Sequence, residues 1–213
     1  MLTAVAVFCA IAMVAIDRPL ALFLKGHLTP HLEGFFKTIT VLGEAGPWFA
    51  LSGGAFVALR IAAGRSGDPI CRQRLAERAR AALFMLTALG ASGALVAGLK
   101  VVIGRYRPRA LFESGLYGFE PFNTQWAMNS FPSGHSQTIW AAMVALVCIH
   151  PRYDAAYLVL AVLVSASRFV TTVHYFSDVI MGSCLGIIVT LWIRQAFEVG
   201  GGTIRLRFER DRI

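Results

Sequence analysis

Residues 155–193 read AAYLVLAVLVSASRFVTTVHYFSDVIMGSCLGIIVTLWI. Two apolar runs, 155–166 and 179–193, flank a seam, Ser167 to Asp178, that holds an arginine, a histidine and an aspartate. Each run with its flank approaches the ~20 residues a helix needs to cross ~30 Å of hydrocarbon. Ionisable side chains at such depth are costly unless they face one another, a water-filled cavity or a functional site. The seam raises two questions. Is the whole chain built for a membrane, and what do three ionisable residues do where it turns?

Composition answers the first. The chain has 213 residues, 56% of them hydrophobic and 15% charged, with a mean hydropathy of +0.62. A water-soluble domain of this length carries more charge, so the expected fold class is all-α, a polytopic membrane bundle forming a single domain over residues 1–213. MLTAVAV places no basic residue before the first apolar run, so no cleaved secretory signal is expected. Cys9, Cys71, Cys148 and Cys184 have neither metal-ligand nor disulfide spacing and read as small hydrophobes. A formal charge of +8 points to no nucleic-acid partner, because in a membrane chain the placement of positives says more than their sum.

Six spans are expected, roughly 2–16, 46–63, 79–103, 134–150, 155–173 and 177–197. Asp17-Arg18-Pro19 ends the first. Residues 18–38 suit a helix lying in the interface and broken by Pro30. Arg60, Arg65, Arg72, Arg74, Arg78, Arg80, Arg152, Arg194, Arg205, Arg207, Arg210 and Arg212 put 12 of the 20 basic residues on one side, which predicts a cytoplasmic face with both termini on it. The basic tail, 199–213, reads as a solvated stretch attracted to anionic lipid.

Three polar clusters then fall on the opposite, outer side. KVVIGRYRP carries Lys100 and Arg107 after span three. FPSGHSQT opens span four with Ser133, Gly134 and His135. The seam supplies Arg168, His174 and Asp178. Each alone also has a structural reading. Lys100 could snorkel; Arg105, Arg107 and Arg109 could be loop charges; Ser133 could be a plain N-cap; His174 could be an interfacial histidine with Asp178 as its structural partner. Random punctuation would fall on either face, so three clusters on one face favour a shared site.

The chemistry of that set is phosphoryl handling. Lys100, Arg107 and Arg168 bring three positives, and the arginine fork matches phosphate oxygens. Ser133 and Gly134 stand at a helix N-terminus, where backbone N–H groups favour an anion. On a helix, His174 and Asp178 at i, i+4 would share a face, and a carboxylate accepting one ring N–H leaves the other nitrogen free to attack.

The ordered set Lys100-x6-Arg107-Pro108, Pro132-Ser133-Gly134-His135 and Ser167-Arg168-x5-His174-x3-Asp178 resembles the signature of the type 2 phosphatidic acid phosphatase superfamily, with no departure at any signature position. The signature core covers residues 100–178. The resemblance implies a membrane phosphatase that uses no metal and no cofactor. It makes His174 the nucleophile of a phosphohistidine intermediate, Asp178 its orienting partner and His135 the acid for the leaving group. Lys100, Arg107, Ser133, Gly134 and Arg168 would hold the phosphoryl oxygens. Members act on phosphatidic acid, phosphatidylglycerol phosphate, undecaprenyl diphosphate or lipid A phosphates, so the implied partners are a lipid phosphate and the bilayer, with the site on the outer face of the inner membrane.

Other readings stay open: a phosphotransferase using the same phosphohistidine, a vanadium-dependent haloperoxidase, against which the six spans argue, and a non-catalytic lipid-binding or transport protein. Residues 104–133 form the longest outer loop, with Tyr106, Phe112, Tyr117, Phe119, Phe122, Trp126 and Phe131. These read as an aromatic belt or as a lid over the site.

Overall fold

A computed structural model describes residues 2–199 and 204–206. Among the described residues the architecture is all-helical, with one isolated β-bridge between Arg105 and Phe119. The helices are α1 (Leu2–Ala15), α2 (Asp17–His27), α3 (Pro30–Ile39), α4 (Ala45–Arg65), α5 (Pro69–Ile103), α6 (Pro108–Ser114), α7 (Gly134–Ile149), α8 (Asp154–Val170) and α9 (Phe176–Val199). Four helical segments among the described residues are long and apolar enough to cross a membrane, or five if α1 and α2, bent by 59°, count as one. The chain is a multi-pass membrane protein. α7 is apolar but has only 16 residues, ~24 Å of helix against ~30 Å of hydrocarbon.

α7 is the axis of the bundle. It packs on α5, α8 and α9, while α4 pairs with α5 and α1 lies along α9. Its buried face, Ile139, Ala141, Ala142, Met143 and Ala145, meets Phe84, Leu89, Ala161 and Val164 in the main core. On α9, Gly182 and Gly186 are four residues apart and face α7. A Cβ on Gly182 would collide with the Ser133 carbonyl oxygen, and one on Gly186 would lie 2.5 Å from the Gln137 carbonyl oxygen. This small-residue pair lets two backbones touch just below the polar clusters.

Several boundaries differ from the sequence reading, each for a local reason. Asp17-Arg18-Pro19 marks the end of the first helix as expected, α1 stopping at Ala15, but it also opens α2 after a 59° bend, because proline is tolerated in a first turn. Residues 18–38 form two helices parted at Leu28–Thr29, with Pro30 at the start of α3. α5 begins at Pro69, ten residues before the expected span: Asp68 caps it, accepting the N–H groups of Ile70 and Cys71 at 3.1 Å each. Arg72, Arg74, Arg78 and Arg80 are therefore helical. The 104–133 loop contains α6 and folds on itself, Glu120 N–H donating to the Gly104 carbonyl at 2.6 Å and Ser130 N–H to the Arg105 carbonyl at 3.1 Å.

Most of the basic tail lies outside the described residues. Within it, Ile204 is buried and the Leu206 N–H donates to the Ile149 carbonyl at 3.0 Å, so this short piece packs on the bundle rather than standing free in solvent.

Candidate active site

The alternation of α5, α7, α8 and α9 brings the end of α5, the start of α7, the end of α8 and the start of α9 to one end of the bundle. All eight singled-out residues lie there. Arg107, Ser133, Arg168, His174 and Asp178 are buried, and Lys100, Gly134 and His135 are half-buried. The Lys100 ammonium donates to the Asn129 carbonyl at 2.6 Å. The Arg107 guanidinium donates to the same carbonyl at 3.3 Å, and to that of Val173 at 3.5 Å. Gly134 lies against the Lys100 side chain, and Gly43, in the turn before α4, lies against His135. Lys100 and Arg107 are within electrostatic reach of both imidazoles, with Arg168 joining them around His135. The two histidines thus share one cationic surround.

His174 is not on a helix. α9 begins at Phe176, and residues 171–175 form a turn in which Thr172 takes a positive φ of 53°. That turn folds back so that the N–H groups of Val173 and His174 both donate to the Arg168 carbonyl, at 3.1 and 3.0 Å. Asp178 occupies the third position of α9 and accepts the Tyr175 N–H at 2.9 Å, the carboxylate half of a capping box. The capping geometry, rather than a shared helical face, brings the carboxylate near the imidazole.

The contact between them is indirect. His174 Nδ1 lies 2.8 Å from the Ser130 carbonyl oxygen and 3.6 Å from Asp178 Oδ2. The shorter distance is the hydrogen bond, and 3.6 Å is beyond hydrogen-bond reach. Ser130 ties the two together, its hydroxyl donating to Asp178 Oδ2 at 2.6 Å while its carbonyl accepts from the ring. A carbonyl can only accept, so Nδ1 carries the proton and Nε2 keeps its lone pair. Burial, the dominant cause, pushes His174 down to about 3. Asp178 opposes the shift, and Arg107 and Lys100 reinforce it. The ring is thus held in its neutral form, with a free Nε2 lone pair.

At the start of α7, Ser133 caps the helix. Its N–H is taken by the Asp178 carbonyl at 2.9 Å, and its hydroxyl oxygen accepts from the Ser136 N–H and hydroxyl at 3.5 and 3.0 Å. The N–H groups of Gly134 and His135 have no partner among the described residues, so they are the donors this terminus can offer an anion. Arg168 donates from Nη1 to Thr40 at 2.6 Å, while its buried Nε has no partner among the described residues. A buried donor left so costs on the order of 1–3 kcal/mol, which an anion in the site would recover. Among the described residues no group of three or more His, Cys, Asp or Glu side chains is arranged to hold a metal ion.

The sequence reading missed Asp17, Arg105, Asn129 and Ser130. Asp17 carried a signal, an ionisable residue at the end of an apolar run. Arg105, two residues before Arg107, was not separable from a solvated loop charge.

Residues 81–199 match the model of the PAP2 superfamily. The chain is 39% identical over 103 residues to a lipid A 1-phosphatase of Rhizobium etli, covering 48% of this chain and 44% of that protein. It is 41% identical over 95 residues to a lipid A 1-phosphatase of Rhizobium johnstonii, covering 45% and 39%. The matched segment thus spans under half the length of these relatives. The fold resembles the crystal structure of a transmembrane PAP2-type phosphatidylglycerolphosphate phosphatase from Bacillus subtilis, with a TM-score of 0.63, 24% identity, and coverage of 94% of this chain and 97% of that one. It also resembles Aquifex aeolicus LpxE, with a TM-score of 0.60, 22% identity, and coverage of 85% and 96%. With more than half of its length inside the family model, the chain belongs to the PAP2 superfamily.

Proposed function

We propose that this protein is a lipid phosphatase that removes a phosphate from the headgroup of a membrane lipid through a phosphohistidine intermediate, without a metal ion. The observation that carries the reading is the Ser130-held His174 beside Lys100 and Arg107, with Arg168, whose buried Nε has no partner among the described residues, beside His135. Lys100, Arg107 and Arg168, with the N–H groups of Gly134 and His135, would cradle the phosphoryl oxygens as charge grows on them. His174 Nε2 would attack phosphorus as the bond to the lipid oxygen breaks, and His135 would give that oxygen a proton. Water, deprotonated by His135, would then cleave the phosphorus–nitrogen bond, releasing phosphate and restoring His174. Asp178 would act on His174 through Ser130.

Candidate substrates are the phosphates of lipid A, which the named relatives favour, phosphatidylglycerol phosphate, phosphatidic acid and undecaprenyl diphosphate. The arrangement we infer has six crossings in the inner membrane, both termini in the cytoplasm and the site facing outward. Exposed Cys71, in the first turn of α5, should then react with an impermeant maleimide from the cytoplasmic face alone. Purified protein should release phosphate from at least one lipid of that panel, unaffected by a chelator and lost in His174→Ala. Release that survives His174→Ala, or that needs an added metal, would defeat the mechanism.

A further inference from the structure

Behind the phosphate-facing cations lies a second set of charges that this mechanism does not use. Arg105 is 1% exposed although it sits in a loop. Its Nη1 donates to Asp178 Oδ1 and, at 2.8 Å, to the Ser177 hydroxyl. Its Nη2 donates to Asp17 Oδ2 at 2.8 Å and to the Tyr117 hydroxyl at 3.1 Å. The guanidinium lies 4.4 Å from the centre of the Tyr175 ring. Asp17, at the bend between α1 and α2, accepts the Ser177 N–H at 3.0 Å on Oδ1 and the Ser177 hydroxyl on Oδ2. Two carboxylates from opposite ends of the chain thus grip one guanidinium, and all three side chains are sealed from solvent.

This clamp decides how the Asp178 carboxylate is turned. Arg105 holds Oδ1, so Oδ2 alone is left for Ser130, Tyr175 and the His174 side. The chain of contacts runs from Asp17 to Arg105, Asp178, Ser130 and the imidazole, and each link fixes the rotation of the next. Arg105 faces two carboxylates rather than the phosphate cradle, so its charge is already answered.

We propose that Arg105, anchored by Asp17 from the first helix, is a positioning residue for phosphoryl transfer, holding the Asp178–Ser130–His174 relay in attacking geometry without touching substrate. This rests on the phosphatase reading and deepens it. The chemistry predicts a separation: ground-state binding of phosphate should be untouched, whereas the transition state, in which Nε2 and phosphorus must be in line, should suffer.

The test uses full-length protein in detergent micelles, with Asp17→Asn, Arg105→Lys and Arg105→Met beside wild type. Expected is a fall in kcat of at least roughly tenfold in Asp17→Asn and in Arg105→Lys, with KM within about twofold, and a larger fall in Arg105→Met. Arg105→Lys keeps the charge and so should rescue part of the loss. Orthovanadate, which takes an imidazole nitrogen as its apical ligand, should bind at least roughly tenfold more weakly to the variants, and inorganic phosphate equally well. The vanadate arm needs no lipid substrate, so it stands even if no lipid in the panel is cleaved, and should Arg105→Met fail to fold, Asp17→Asn carries the same readouts. Variants that lose melting temperature but keep kcat and vanadate affinity would make the clamp a fold element only. A matching loss of phosphate affinity would make Arg105 a substrate ligand. Either result overturns the proposal.

Discussion

Arg105 and Arg107 stand two residues apart in one loop, both buried, yet they solve opposite problems. Arg105 lies between two carboxylates and has no charge left to offer. Arg107 leans on backbone carbonyls of Asn129 and Val173 and belongs to the cluster with Lys100 and Arg168. One guanidinium is gripped by two carboxylates of the protein; the other, in the proposed mechanism, meets the anion. The contrast separates the charges that build the site from those that use it, although the sequence writes both with the same letter.

The largest expected effect follows from unbalancing the built-in layer. Arg105→Ala leaves Asp17 and Asp178 facing each other in a dry interior, and breaking a buried pair in this way costs about 3–5 kcal/mol. Chemical or thermal unfolding in micelles should show that loss, together with loss of turnover. Arg107→Gln should do the converse. It removes the charge-assisted contact proposed for the phosphoryl group, worth roughly 1.5–3 kcal/mol, or about 10- to 150-fold in kcat/KM. Its unfolding midpoint should fall less than that of Arg105→Ala, because its contacts to the Asn129 and Val173 carbonyls, at 3.3 and 3.5 Å, are longer than the 2.8 Å contact of Arg105 to the Asp17 carboxylate. If the two variants behave alike, the division between the layers is wrong.

How far the sequence anticipates this depends on whether a residue's role is local. Lys100, Arg107, the Pro132–His135 turn, Arg168, His174 and Asp178 were legible because alternating helices must return to the same end, so counting crossings is enough to co-localise them. The clamp was not legible, since Asp17 meets Ser177 across 160 positions and nothing near Arg105 marks it as buried. Ser130 meets the ring through its carbonyl, which every residue has, and Asp178 through a hydroxyl 48 positions away, so neither contact was legible locally. The turn holding His174 was mistaken for helix because i, i+4 spacing suits both a helical face and the capping box that the structure uses. α5 outran its expected start because Asp68-Pro69 is a strong N-terminal signal and the arginine-rich turns that follow are good helix formers whose charges can stand beyond the hydrocarbon.

A smaller effect tests the neutrality of the proposed nucleophile. His174 in the folded protein takes up its second proton only near pH 3, whereas in an unfolded chain an imidazole titrates near ~6.5. Between those values the unfolded state binds more protons, so stability falls as pH drops below about 6.5. At pH 5 the loss from this residue should be about 2 kcal/mol relative to pH 7 and above. His174→Gln should lose less stability than wild type over that interval by about this amount, read from unfolding curves at the two pH values. Equal pH dependence in the two proteins would mean that the ring is charged in the folded state and not ready to attack.

The smallest effect sharpens the contrast from outside. Arg109, two residues beyond Arg107 on α6, is exposed and pairs with Glu113 at 2.7 Å across one helical turn. Solvent screens both partners and long side chains pay entropy to meet, so such pairs contribute roughly 0.2–0.5 kcal/mol. Arg109→Ala should therefore leave kcat unchanged and alter stability by less than about 0.5 kcal/mol, measured beside Arg105→Ala and Arg107→Gln. The same residue type at positions 105, 107 and 109 would then run from structural necessity through substrate binding to near neutrality. What changes along the series is what each guanidinium faces: two buried carboxylates, the proposed anion cradle, or water.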